Sequence, residues 1–179
     1  HNKDEVLKIT GFPCVLKSPD STFSFGVKKA KTIEEYNELV HSMLKKSDLI
    51  IAQEFSFSDY DWSIGILDNE PFFACKYYMA KGHWQIYNWD ASKKDDQDGN
   101  ADCLAIEDVP KKVMDVALRS AKLMGLGLFG IDVKEVNGEA LVIEINDNPN
   151  IDAGVEDRFY GDEVYIKILS ALKNRLEKK

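Results

Sequence analysis

The chain has 179 residues, 44% of them hydrophobic and 30% charged, with a formal net charge of −8. That is enough apolar material for a core in one domain or two small lobes. The acidic balance, without a Lys/Arg stripe, argues against nucleic acid as a partner but leaves room for a small anion in a local basic pocket. Cys14, Cys75 and Cys103 are widely spaced and form neither a disulfide framework nor a CxxC metal pattern. They are expected to be reduced, mostly buried thiols. Since no secretory or membrane-spanning apolar run accompanies them, a cytoplasmic protein with no membrane partner is expected. A start at His1-Asn2, without Met, suggests a fragment whose N-terminal domain is its missing partner.

In chain order, FPCVLK (12–17) reads as a strand, and Lys17 closes it just before the Ser/Thr-rich loop SPDSTFSFGV. An ammonium beside exposed loop amides suits phosphate oxygens, although the same lysine could simply be solvated. A short strand from about Gly26 to Lys29 follows, then a helix from Thr32 to Lys46. Thr32 and Glu35 form a capping box, and Ile33, Tyr36, Leu39, Val40 and Met43 recur at helical spacing. Strands at 49–55, 61–67 and 71–79 are expected to form an antiparallel meander, the last two joined tightly at Asp68-Asn69-Glu70. Gln53-Glu54-Phe55 sits where one lobe would pass to the next. Backbone there could read an adenine edge, with Asp61, or Asp59 in its place, accepting from ribose hydroxyls.

Lys76, Lys81 and His83 lie on or after the strand ending the meander. Lys76 alternates with Cys75, Tyr77 and Met79, so it projects from the opposite face, either toward a γ-phosphate or into solvent. His83 could be a general base or a hydrogen-bonded structural histidine. Residues 90–102, DASKKDDQDGNAD, are polar and aperiodic, which reads as a mobile loop serving as a lid or as a plain connection. A helix over 110–124 opens with Pro110 and stops before Gly125. The polar segment with Asn148, Asn150, Asp152, Glu156, Asp157 and Arg158 looks too polar for a core. Arg158 could hold a carboxylate bidentately, and a last helix runs from about Gly161 to Leu176.

The chemistry concentrates in LFGIDVKEVNGEALVIEINDNPN (128–150). A two-residue turn at Asn137-Gly138 would pair Val136 with Glu139 and set Ile131 opposite Glu144, mixing apolar and charged groups on both faces. A shift by one residue, through a longer turn or a bulge, sets Ile131 against Ile145 and Val133 against Ile143 instead. Asp132 then meets Glu144, and Asn146 faces Gly130, which leaves room beside it. Facing carboxylates require a cation, either Lys134 in a salt-bridge ladder or a divalent metal held by Asp132, Glu144 and Asn146. An all-oxygen set suits Mg²⁺ or Mn²⁺ better than zinc.

The order of these pieces resembles the ATP-grasp superfamily: strand lysine, loop, interlobe segment with a ribose carboxylate, basic strand, then Asp and Glu-x-Asn. VIEINDNPNIDAGVED, with FGIDV before it, is similar to the RimK-like branch, which joins carboxylates to amines. The resemblance implies an α+β fold with a small αβ lobe (1–48), a larger lobe of antiparallel sheet and helices (49–179), and an ATP cleft between them. It also implies Lys17 and Ser18 on the phosphates, Gln53, Glu54 and Phe55 around adenine, Asp61 on ribose, and Mg²⁺ or Mn²⁺ on Asp132, Glu144 and Asn146. Lys76, Lys81 and Arg158 become the candidate catalytic cations. The implied reaction is phosphorylation of a small-molecule or peptide carboxylate by ATP, then attack by an amine on the acylphosphate. An ATP-grasp kinase and a non-catalytic nucleotide-binding or interaction module are the alternatives. The chain departs from the family at Ser63, where many relatives carry Arg, and in a phosphate loop with few glycines.

Overall fold

The computed structural model describes residues 3–20 and 22–177, and the chain forms two compact units, His1–Phe57 and Ser58–Lys179. In the first unit a helix not expected from the sequence, α1 (Lys3–Thr10), leads into β1 (Cys14–Lys17) and β2 (Val27–Ala30). Then come α2 (Ile33–Met43) and β3 (Ile51–Glu54). β1 is the middle strand of an antiparallel sheet of order β2-β1-β3. Cys14 and Leu16 turn to a core with Ala30, Tyr36 and Met43. Strand alternation therefore puts Val15 and Lys17 on the other face, with Lys29 and Gln53 both opposite Val15. The Thr32 hydroxyl caps α2 by accepting from the Glu35 N–H at 3.3 Å, while the Glu35 carboxylate accepts from the Lys31 N–H at 2.7 Å.

The 49–55 segment was expected in the second group of strands, but β3 pairs with β1 instead. A two-stranded β1–β2 ribbon would be marginal alone and would leave one edge of β1 open. The unit boundary accordingly falls after Phe57, not after residue 48.

The second unit holds β4 (Tyr60–Leu67), β5 (Glu70–Tyr78), β6 (Ala101–Leu104), α3 (Lys111–Met124), β7 (Leu128–Val136) and β8 (Glu139–Asn146). Two helices, α4 (Glu156–Tyr160) and α5 (Glu163–Glu177), complete it. The helix expected from about Gly161 to Leu176 is α5, and the short α4 precedes it, separated where Gly161 takes φ 61°. The strands form one antiparallel sheet of order β6-β5-β4-β7-β8. Trp62, Ile64, Ile66, Ile131 and Val133 close one face against Val113, Ala117 and Ala121 of α3.

Cross-strand pairing orders the other face into rows. Cys103, Cys75, Ser63, Asp132 and Glu144 stand side by side across all five strands. In a neighbouring row Phe73, Gly65, Gly130 and Asn146 stand together, and a Cβ on Gly65 would collide with the Phe73 ring. Further along this face Phe73 and Cys75 pack with Val164 of α5.

Residues 79–100 are an arm with its ends tied together, not the featureless loop expected over 90–102. Within it Tyr87 bridges to Asp98, the Gly99 N–H donates to the Ile86 carbonyl at 3.0 Å, and Lys94–Asp96 make a turn of 3₁₀ helix. Gly99 lies so close to the Tyr78 backbone that any Cβ would strike its carbonyl. The returning β6 sets Cys103 opposite Cys75, and the two form a disulfide, which corrects the expectation of reduced thiols there. The two are 28 positions apart in the chain, and nothing local in the sequence announces the pair. Cys14 is free and buried, as expected. Among the described residues no helix is long and apolar enough to cross a membrane.

Candidate active site

The β7–β8 hairpin resolves the register problem with both devices at once. Asn137 and Gly138, at φ 52° and 79°, make the two-residue turn that the polarity pattern disfavoured, and Val136 does pair with Glu139. A bulge between Asp132 and Val133 then restores the favoured register beyond it. Val133 meets Val142 in place of Ile143, while Ile131 meets Ile145, Asp132 meets Glu144 and Gly130 meets Asn146. The space expected beside Asn146 is partly filled, because a Cβ on Gly130 would lie 2.8 Å from the Pro149 Cβ.

Asp132 is the electrostatic centre of this face. Burial, then Asp61, then Glu144 push its carboxyl up to about 7, against the lowering effect of hydrogen bonds from Ser63 and Asn146. The Asn146 Nδ2 donates to Asp132 Oδ2 at 3.4 Å. Lys134 bonds Asp61 at 2.5 Å and Ser58 at 2.6 Å. Lys134 therefore holds Asp61 in place without cancelling its push on Asp132, and Asp132 and Glu144 still face each other. Among the described residues no three His, Cys, Asp or Glu side chains gather into a metal site, so a cation here would need the Asn146 amide as its third protein oxygen.

Asp61, the residue expected at ribose, is thus already ion-paired, with only 14% of its side chain exposed. Its alternative, Asp59, is exposed. In the first unit Lys17 ends β1 opposite Val27 and Ile51, and the Ser18 N–H donates to the Gly26 carbonyl at 3.1 Å, closing the loop at its base. Within that loop Phe23 and Ser24 both take positive φ, so backbone turns are made without additional glycines. Gln53 pairs with Val15, Glu54 with Cys14, and the Lys29 ammonium stands 4.2 Å over the Phe55 ring.

The three candidate catalytic cations separate. Lys76 lies opposite Trp62 on the α3 face and sits over the Tyr60 and Trp62 rings at 4.4 and 4.7 Å, so the sheet turns it away from Asp132. Lys81 is exposed and 3.8 Å from Asp96. His83 contacts Gln85 at 3.3 Å. Arg158 lines a cavity of about 700 Å³ between the arm and the 152–158 segment.

That segment corrects a further expectation, since Glu156 is 1% exposed in a stretch judged too polar for a core. It accepts from the Tyr77 hydroxyl at 2.6 Å and from the Asp152 N–H at 2.8 Å, so both carboxylate oxygens have partners. Burial, followed by this bond to Glu156, drives the Tyr77 phenol far above its ordinary range. Tyr77 and Glu156 are 79 residues apart, so only the fold could reveal their bond. Burial and then the carboxylates Asp152, Asp98, Asp132 and Glu156 push up the Tyr87 phenol.

The two sheets have the ATP-grasp fold, matching the ATP-grasp ligase PsnB over 95% of the chain and 51% of that structure with TM-score 0.61 and 17% identity. Over 100% of the chain the fold matches a D-alanine–D-alanine ligase from Bacillus anthracis, with TM-score 0.73 and 17% identity over 60% of that structure. A family model described as the D-ala D-ala ligase C-terminus matches residues 1–153, and the chain belongs to that family. Among curated relatives, a probable alpha-L-glutamate ligase of Saccharophagus degradans is 24% identical over 87% of the chain and 48% of the relative. A D-alanine–D-alanine ligase of Aquifex aeolicus is 27% identical over 78% of the chain and 47% of the relative. The chain spans about half the length of these relatives.

Proposed function

We propose that the chain is the ATP-binding catalytic part of a ligase that joins a carboxylate to an amine. The observation that carries this reading is the transverse pair Asp132–Glu144 with Asn146 alongside, whose mutual repulsion calls for a cation. Membership in the ligase family supports it, as does the likeness in fold to the B. anthracis ligase, also solved complexed with ATP.

Asp132, Glu144 and Asn146 would hold Mg²⁺ or Mn²⁺, which supplies charge neutralisation for phosphoryl transfer. In the first unit Lys17 and Ser18 hold ATP phosphates, while Gln53, Glu54 and Phe55 bound the adenine. Asp61 orients the ribose while Lys134 fixes its carboxylate. The substrate carboxylate takes the γ-phosphoryl group with release of ADP. The amine then adds to the acylphosphate carbonyl, loses a proton and expels phosphate, leaving the amide. Arg158 orients a substrate carboxylate, and Lys81, on the arm, is the remaining cation for the transferring group. Lys76 acts through the packing of Tyr60 and Trp62.

Calorimetry with Mg-ATP tests the reading. Binding should need the metal, and Glu144→Gln should weaken it at least ten-fold with the melting curve retained. Equal affinity in the variant removes Glu144 from the metal site. A cytoplasmic setting belongs to the same reading, with the Cys75–Cys103 disulfide as the feature that argues against it. Denaturing alkylation of fresh lysate checks it: three modified cysteines support that setting, and modification of Cys14 alone excludes it.

A further inference from the structure

The cavity between the arm and the 152–158 segment carries an inference that rests on the ligase reading and names its amine substrate. Its volume of about 700 Å³ falls within the usual range of small-molecule sites, roughly 300–1,000 Å³. Tyr77 and Tyr87 supply aromatic lining, and the charged lining groups are Asp98, Asp102, Asp152 and Arg158. With Asp102 set opposite Lys76 across the strands, two carboxylates against one guanidinium make a poor host for glutamate, which brings two carboxylates and one ammonium. A basic amino acid brings the reverse.

The placement of these groups strengthens the argument. Asp102 is engaged by the Tyr78 phenol, whereas Asp98 and Asp152 both act on Tyr87. An ammonium near Tyr87 would therefore meet two carboxylates and an aromatic ring together. Tyr77, which lines the cavity, stands across strands from Asp61, so the cavity lies on the sheet face that carries the acidic row. Glu156, buried behind the cavity, holds Tyr77 and the Asp152 backbone in place.

We propose that the cavity binds the amine substrate and that this substrate is a basic amino acid. Its carboxylate pairs with Arg158, and its side-chain ammonium lies against Asp98 and Asp152 beside the Tyr87 ring. Specificity here departs from the glutamate named for several relatives, because charge at the lining selects the opposite side chain.

Calorimetric titration of the 179-residue chain with L-lysine, L-alanine and L-glutamate tests this. L-Lysine should bind at least ten-fold more tightly than L-glutamate. Asp98→Asn and Asp152→Asn should each weaken L-lysine by three-fold or more, whereas Asp115→Asn, on exposed α3 and outside the cavity, should not. No binding of L-lysine, equal affinity for L-glutamate, or equal loss in Asp115→Asn overturns the proposal. The last result would mean general attraction of a cation to an acidic chain. Mg-ATP binding on the same samples separates the two levels. If Mg-ATP binds and lysine is not preferred, the substrate assignment fails alone; if Mg-ATP does not bind, the ligase reading falls and takes the assignment with it.

Discussion

The two faces of the five-stranded sheet use the same strands for opposite purposes. On one, Trp62, Ile64, Ile66, Ile131 and Val133 close against α3, and the polar edge groups are satisfied, with Glu135 accepting from the Trp62 indole at 2.8 Å. On the other, residues one position along each strand set Ser63, Asp132 and Glu144 in a row with two carboxylates facing each other. Period-two alternation makes this economy possible, since a strand that buries one face must present the other. The first face stabilises the unit and the second is held in place by it. A binding site can therefore be locally unfavourable without unfolding the sheet.

The largest expected effect comes from the first face. Trp62→Ala should destabilise the chain by about 3–5 kcal/mol, read as a drop in urea midpoint, because it opens a cavity against α3 and strips a partner from Glu135. A loss under about 1 kcal/mol would mean that this face is not the main core. Next is the row where the second face is packed as tightly as the first. Gly65→Ala should cost roughly 1–3 kcal/mol, since the new methyl group meets the Phe73 ring. An unchanged melting curve would show that Phe73 swings away freely.

The smallest effect has the opposite sign and tests the polar face as a site. In EDTA at pH 8, Asp132→Asn should stabilise the chain by about 1–2 kcal/mol, because it removes the charge repelled by Asp61 and Glu144. The folded carboxyl, at about 7, keeps its proton over a range in which the unfolded one, near 3.8, has lost it. Wild-type stability therefore falls as pH rises from about 4 to about 7 and then levels, so the gain from the substitution grows across that window. If the variant is less stable at every pH, Asp132 serves mainly as a hydrogen-bond partner of Ser63 and Asn146. The same variant should lose the stabilisation by Mg-ATP expected of the wild type.

Much of this polar face was legible beforehand. Asp132, Glu144 and Asn146 were identified by requiring Ile131 and Ile145 to share a face, a constraint that acts through a single hairpin. The turn itself misled, because a bulge inside β7–β8 corrected the register after an ordinary Asn-Gly turn. Residues whose roles depend on distant partners were less legible. Lys134 could be paired with its neighbour Asp132 from sequence, but β4 brought it Asp61 from 73 residues away. Lys76 was correctly separated from Cys75 and Tyr77 by alternation. Which of those faces carried the acids depended on its pairing opposite Trp62.

Sequence by itself determined what repeats over short range: the cap at Thr32, the α3 span from Pro110 to Gly125, the strand alternation and the two acids of the hairpin. Those features arise from backbone geometry and from burial of one face, which act between near neighbours. Only the tertiary structure decided that β3 completes the first sheet, that Cys75 meets Cys103, and that Glu156 is buried against Tyr77. Each of these joins segments separated by tens of residues, where pairing is selected by the whole packed unit and leaves no mark in local composition.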